Sequence, residues 1–219
     1  SDRRALVATT VEDRVEFRVG TEPSPSKGTV ARTAVACLNC QQSHPLAEVR
    51  ALAGHQGLGR QLLCVVANGQ HGRVYLDPHA ALAPEPTDHA GLDIALPTQA
   101  LGFRVQAYGI TTHRDLYTDR QLAVLESLAE SIQTIPEQVQ RDGGDPIQGE
   151  AIASILGLAL GKMAQSNSTQ VRWKIDSRNG SAKAEPGFGR HAMPMVWDFA
   201  ETNPFGGSVG DWLGQLDSI

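Results

Sequence analysis

Cys37 and Cys40 are the first residues in this chain whose type and spacing suit a defined chemistry. Separated only by Leu38-Asn39, they can turn two thiolates toward one metal ion from a tight turn. A structural zinc site takes four ligands as a rule, and the chain holds one CxxC pair, so zinc would need other donors. The nearest by sequence are His44 and Cys64. The competing reading is a pair of reduced thiols at a turn without metal. A redox role fits less well, because no strand–CxxC–helix pattern surrounds the pair. Cys64 lies within Leu62-Leu63-Cys64-Val65-Val66, the setting of a buried strand cysteine. The other histidines are scattered, with no HxxxH spacing, and read as surface residues.

Two further stretches invite chemistry. From Arg172 to Arg190, the cations Arg172, Lys174, Arg178, Lys183 and Arg190 outnumber Asp176 and Glu185. Beside Trp173, such a basic loop, made flexible by Gly180 and Ser181, suits contact with phosphates; a solvated surface loop is the plainer alternative. From Phe188 to Phe205, Met193, Met195, Trp197, Pro194 and Pro204 crowd a run without helical or strand period. A packed domain rarely spends so many large, stiff side chains on an irregular segment unless it shapes a pocket or an interface. Met193, Met195, Val196 and Phe199 read as packing. Arg190 and Asp198 are harder to bury, so a functional role or a mutual ion pair is expected for them.

The wording of these segments resembles adenine-specific DNA methylases that carry a zinc-ribbon insert. FGRHAMPMVWDFAETNPF (residues 188–205), TVARTAVACLNC (29–40), RVQAYGITTHRDLYTDRQLAVLESLAESI (104–132) and SNSTQVRW (166–173) follow that family's order. The chain departs from the family at His191, at Asp119 and at Leu38. The resemblance implies an S-adenosylmethionine-dependent adenine-N6 DNA methyltransferase, with DNA as partner and a place in restriction or phage defence. It implies a zinc-ribbon knuckle at Cys37 and Cys40, and DNA contact through Arg172, Lys174, Arg178 and Arg190. It makes Trp197, Asp198, Asn203 and Phe205 a wall of the active site, where a flipped base needs aromatic or apolar support. The alternative for this wall is a hydrophobic plug against the catalytic domain.

The chemistry of methyl transfer is absent from the chain. It contains no Pro-Pro dipeptide, so the Asp/Asn-Pro-Pro-aromatic loop is missing, and Gly57-Leu58-Gly59 does not complete a Gly-rich cofactor loop. The expectation is therefore a non-catalytic segment, used for target recognition and DNA positioning. The remaining catalytic portion, in the same or a separate chain, would bring the cofactor. The chain opens at Ser1 without Met, which fits an excised or split piece. Two rivals are a free-standing protein-interaction module with a degenerate zinc ribbon and one half of a split methyltransferase.

Bulk properties set limits on these readings. A net charge of −5 argues against holding DNA by general electrostatics, so any contact must be a local patch. With 41% hydrophobic residues and a mean hydropathy of −0.24, the chain reads as an ordinary soluble protein. No apolar run is long enough to span a bilayer and no signal-peptide pattern appears, so neither membrane nor export is expected. Few cysteines suit a reducing, cytoplasmic compartment.

The elements that must position these residues follow from periodicity. The expected class is α+β: a β-rich, zinc-ribbon-like part over 1–99, then a helical region with a loop-rich end over 100–219. Val15, Phe17 and Val19 alternate with Glu16 and Arg18 as in a half-buried strand. Leu62 to Ala67 reads as a buried strand that turns at Gln70-His71-Gly72 into Arg73–Leu76. Residues 80–99 read as an exposed connection, and 103–108 as a short strand. Thr118 with Gln121 makes a capping box for a helix whose stripe is Leu122, Leu125, Leu128, Ile132 and Ile135, with Pro136 as its stop. Asp145-Pro146 opens another helix, with Ile152, Ile155, Leu156, Ala159, Leu160 and Met163 inward. The short loop at 141–144 would make the two helices neighbours.

Overall fold

The computed structural model describes residues 4–21, 28–78, 92–98, 100, 102–176, 181–188 and 192–219. It is a mixed α+β structure of two-stranded antiparallel hairpins and helices. The chain divides into two compact units, Ser1–Ala83 with Ala107–Gly109, and Pro84–Gln106 with Ile110–Ile219.

In the first unit, β1 (Ala5–Val11) pairs with β2 (Arg14–Gly20), Leu6 opposite Val19 and Ala8 opposite Phe17. The alternation seen in the sequence is kept: Val15, Phe17 and Val19 are half-buried, and Glu16 and Arg18 face water. Next, β3 (Ala34–Ala36) pairs with β4 (Ser43–Pro45), which runs directly into α1 (Leu46–Gln56). No sequence signal announces this helix, and it ends where Gly57 turns to a φ of 73°. β5 (Val65–Gly69) and β6 (Gly72–Leu76) form the expected hairpin, though its first strand starts at Val65, not Leu62, and is half-buried.

The second unit has a small core of Leu96, Val105 and Leu116, with Ile110, Tyr117, Phe188 and Met193 packed against it. Two expectations fail here. Leu96 is only 2% exposed, although it falls in the stretch read as an exposed connection; its N–H donates to Thr111 O and Ala95 bridges Thr112. Residues 80–91 and 99 of that stretch lie outside the described residues. Val105–Tyr108, read as part of a strand, is a 3-10 turn; among the described residues no strand pairs with it.

The helices match their sequence signals more closely. In α2 (Asp119–Gln133), Thr118 Oγ1 accepts from Gln121 N at 3.2 Å and Gln121 Oε1 accepts from Thr118 N at 2.9 Å, the reciprocal capping box. α2 does end before Pro136, at Gln133, so Ile135 falls outside it. Pro136 lies in the first turn of α3 (Ile135–Arg141), where a missing N–H costs nothing. In α4 (Pro146–Ser166), Asp145 accepts from Ile147 N at 2.7 Å. α4 packs against α2 and α3. A Cβ on Gly149 would meet Pro136 Cα at 2.8 Å, so glycine sets how closely α4 approaches α3. Ala159 and Met163 are buried as expected, but Ile155 is 50% exposed, and Ile147 and Leu158 share its outward face.

The segment after Ser166 is more regular than its sequence implies. β7 (Arg172–Ile175) pairs with β8 (Ala182–Glu185), Trp173 opposite Ala184. α5 (Trp212–Leu216) is N-capped by Asp211, which accepts from Gly214 N, and packs on α4. Short elements like these carry too few residues to declare a period.

Candidate functional site

The basic stretch is a hairpin where described, not a free loop. Arg172 and Lys174 alternate with half-buried Trp173 along β7, so period-two geometry sends both cations to one exposed face. Both meet Glu185 on β8: Arg172 Nη2 lies 2.9 Å from Oε2 and Lys174 Nζ 2.7 Å from Oε1. The Lys174 hydrogen bond, assisted by the charges of Lys174, Arg172 and Lys183, holds the Glu185 carboxyl below its ordinary range against partial desolvation. Arg178 and Arg190, expected DNA contacts, lie outside the described residues. The proposed Arg190–Asp198 pair therefore has one described member, Asp198, which is exposed.

The proposed wall residues belong to a segment pinned beside this hairpin. Arg172 forms a bridge with Phe199, and Ala200 N donates to Val171 O at 2.9 Å. Trp197 is 37% exposed and Phe205 65% exposed. Asn203 Oδ1 accepts from Phe205 N at 3.0 Å, and Pro204 O accepts from Trp212 N at 2.7 Å, which fixes the turn that turns Phe205 outward. Arg172, Lys174 and Phe199 thus share a region with Trp197 and Asp198, while Asn203 and Phe205 occupy the next turn.

What holds this region has no signature in the sequence. Ser166, Asn167, Ser168, Thr169 and Gln170 are consecutive polar residues, and each is at most 6% exposed. Such groups are as a rule partnered when buried, although Gln170 Oε1 is buried without a partner among the described residues. Asn167 Nδ2 donates to Met163 O at 3.1 Å and Gly210 O at 3.0 Å. Thr169 Oγ1 donates to Leu116 O at 2.9 Å. Thr202 Oγ1 lies 2.8 Å from Ser166 O and 2.7 Å from Asn167 Oδ1. Gly210, at a φ of 82°, has Thr202 Oγ1 2.6 Å from where a Cβ would stand, so only glycine closes the turn. A polar string of this kind reads as loop; its partners lie dozens of residues away.

In the other unit, Cys37 and Cys40 sit on the turn between β3 and β4. Cys37 N donates to Gln42 O at 2.8 Å, Gln41 N donates to Cys37 O at 2.9 Å, and Gln41 takes a φ of 60°. The Cys37 sulfur faces the N–H groups of Cys40 and Asn39 and the Cys40 thiol, which together hold its thiol below the ordinary range. Cys64, by contrast, is half-buried and burial pushes its thiol up. His44 Nδ1 lies 3.3 Å from Glu48 Oε2. Among the described residues, no group of three or more His, Cys, Asp or Glu side chains comes together to hold a metal. Cys37 and Cys40 therefore fit half of a zinc ligand set.

No protein-family model, curated protein or solved structure matches this chain.

Proposed function

We propose that this chain is a non-catalytic segment of an S-adenosylmethionine-dependent adenine-N6 DNA methyltransferase, acting in target recognition and DNA positioning. Besides the four motif resemblances, the observation that carries the reading is the β7–β8 hairpin. It puts Arg172 and Lys174 on one exposed face in a chain that is acidic overall, next to the segment bearing Trp197 and Asp198. Cations so placed neutralise phosphates and fix register, while exposed aromatics support an unstacked base. Cys37 and Cys40 would hold zinc together with two donors from beyond the described residues, and the metal would brace the turn.

The test is DNA binding titrated against salt, for the parent and for Arg172→Ala/Lys174→Ala. Every phosphate that goes unneutralised lowers the slope of log affinity on log salt by about 0.9, so the double variant is expected to show a slope shallower by roughly two. An unchanged affinity and slope would refute the reading.

A second reading, a protein-interaction module, has its own observation. Ile147 is 75% exposed, Leu158 67% and Ile155 50% on one side of α4. An apolar helix face in water marks an interface.

A further inference from the structure

α4 has an apolar face that the described residues leave uncovered. The helix runs 21 residues and carries only two charges, Glu150 and Lys162. A helix that is apolar on every side is normally covered on every side. Ala159 and Met163 are buried, but Ile147, Ile155 and Leu158 stand in water.

Two glycines mark the same face. A glycine inside a helix weakens it relative to alanine, so it is kept where a side chain would be in the way. Gly149 has that reason, since a Cβ there would meet Pro136 Cα at 2.8 Å. Gly157 and Gly161 are exposed, and a Cβ on either would meet nothing within 4 Å. The room they keep is not used within the described chain, so it is room for another backbone to approach.

The pattern of the face fits a second copy of itself. At 100° per residue, Ile147, Ala151, Ser154, Leu158 and Gly161 fall along one line of the helix. Two such helices laid antiparallel about a twofold axis near Leu156 set Ser154 against Leu158 of the other copy, and Ala151 against its Gly161. Each contact recurs in reverse, as an isologous interface requires, and the bulk of Leu158 meets a small residue. Charge selects the direction. Parallel helices would put Glu150 level with Glu150 and Lys162 level with Lys162. Antiparallel helices bring each Glu150 level with the other copy's Lys162. Lys162 Nζ donates to Ser218 Oγ at 2.6 Å, a neutral and exposed partner that leaves its charge in place.

We propose that this face of α4 is the interface of an antiparallel homodimer. The proposal rests on reading α4 as an interface and not on the DNA reading. A single helix pair covers less than the roughly 1,200 Å2 of a standard stable complex, so the dimer is weak and forms with rising concentration.

Sedimentation equilibrium of the full chain, from micromolar to millimolar, is the test. The expected result is a monomer–dimer equilibrium. Leu158→Glu changes an exposed residue, so the fold should survive while association falls by about tenfold or more. Gly157→Ala with Gly161→Ala should raise the urea midpoint of the dilute chain yet weaken association several-fold. A mixture of Glu150→Lys and Lys162→Glu chains should associate more tightly than either variant alone. A parent that stays monomeric at millimolar concentration would overturn the proposal. If that monomer still binds a hydrophobic dye that Leu158→Glu removes, only the second copy fails and α4 remains an interface for a different partner. A dimer that persists in folded Leu158→Glu would also overturn the proposal, because its interface lies elsewhere. Greater stability of the double glycine variant with unchanged association would refute the close approach, and charge variants that mix no better than alone would refute the antiparallel direction.

Discussion

Asp211 shows how much one side chain can organise. Its Oδ2 accepts from Gly207 N at 2.8 Å and its Oδ1 from Gly214 N at 3.0 Å, so it closes the preceding turn and caps α5 together. The Gly207 and Gly214 hydrogen bonds, with Leu213 N adding, hold its carboxyl below the ordinary aspartate range. A depressed folded-state value means the contribution is complete above the unfolded aspartate range and lost as pH falls through the lower folded value. Asp211→Asn is therefore expected to lower urea stability near neutral pH, with the gap from the parent closing in acid. A gap that stays constant with pH would contradict the assignment. The cysteines give a second residue-scale prediction. Thiolate is the reactive form, so Cys37, held low by its N–H donors, should alkylate at lower pH than Cys64, held up by burial. Mass spectrometry after timed iodoacetamide treatment checks the order, and faster reaction at Cys64 would reverse it.

At the scale of elements, legibility tracks the range of the interaction. The capping box at Thr118 and the Asp145-Pro146 start are readable because both partners lie within one turn. α1 is not, because its apolar residues do not form a strong stripe: of its eleven residues only Ala53 is buried. The Val105–Tyr108 segment carries β-like residues, but a strand exists only where another strand pairs with it. Packing also assigns Gly149 its role, since a methyl there would press on Pro136 Cα at 2.8 Å. Gly149→Ala raises helix propensity yet is expected to destabilise the α3–α4 contact by about 1–3 kcal/mol, measured by chemical denaturation. Stabilisation by the substitution would show that the two helices can separate at no cost.

For the whole molecule, charge decides how any nucleic acid is met. A chain of net charge −5 repels DNA at long range, so attraction must come from a patch felt within about a Debye length, roughly 8–10 Å. On β7 that patch is held in check, because Arg172 and Lys174 are both tied to Glu185. Glu185→Gln keeps the shape and removes the competing carboxylate. It is expected to tighten DNA binding and steepen its salt dependence, measured by fluorescence anisotropy across ionic strength. Weaker binding would mean that Glu185 positions the two cations for contact and does not compete with phosphate.

Local pattern was enough to specify the α+β class, the capped starts of α2 and α4, the β2 alternation and the β5–β6 hairpin. Each rests on residues within a few positions of one another, where period and side-chain reach suffice. It also marked Cys37 with Cys40 and the surplus of cations near Trp173, since spacing and charge are properties of the string. Folding in three dimensions was needed to bury Ser166–Gln170, to bring Arg172 and Lys174 onto the same Glu185, and to bury the Gln121 amide nitrogen without a partner among the described residues. Those facts depend on partners far away in the chain, such as Leu116 for Thr169 and Gly210 for Asn167, and no local pattern encodes them.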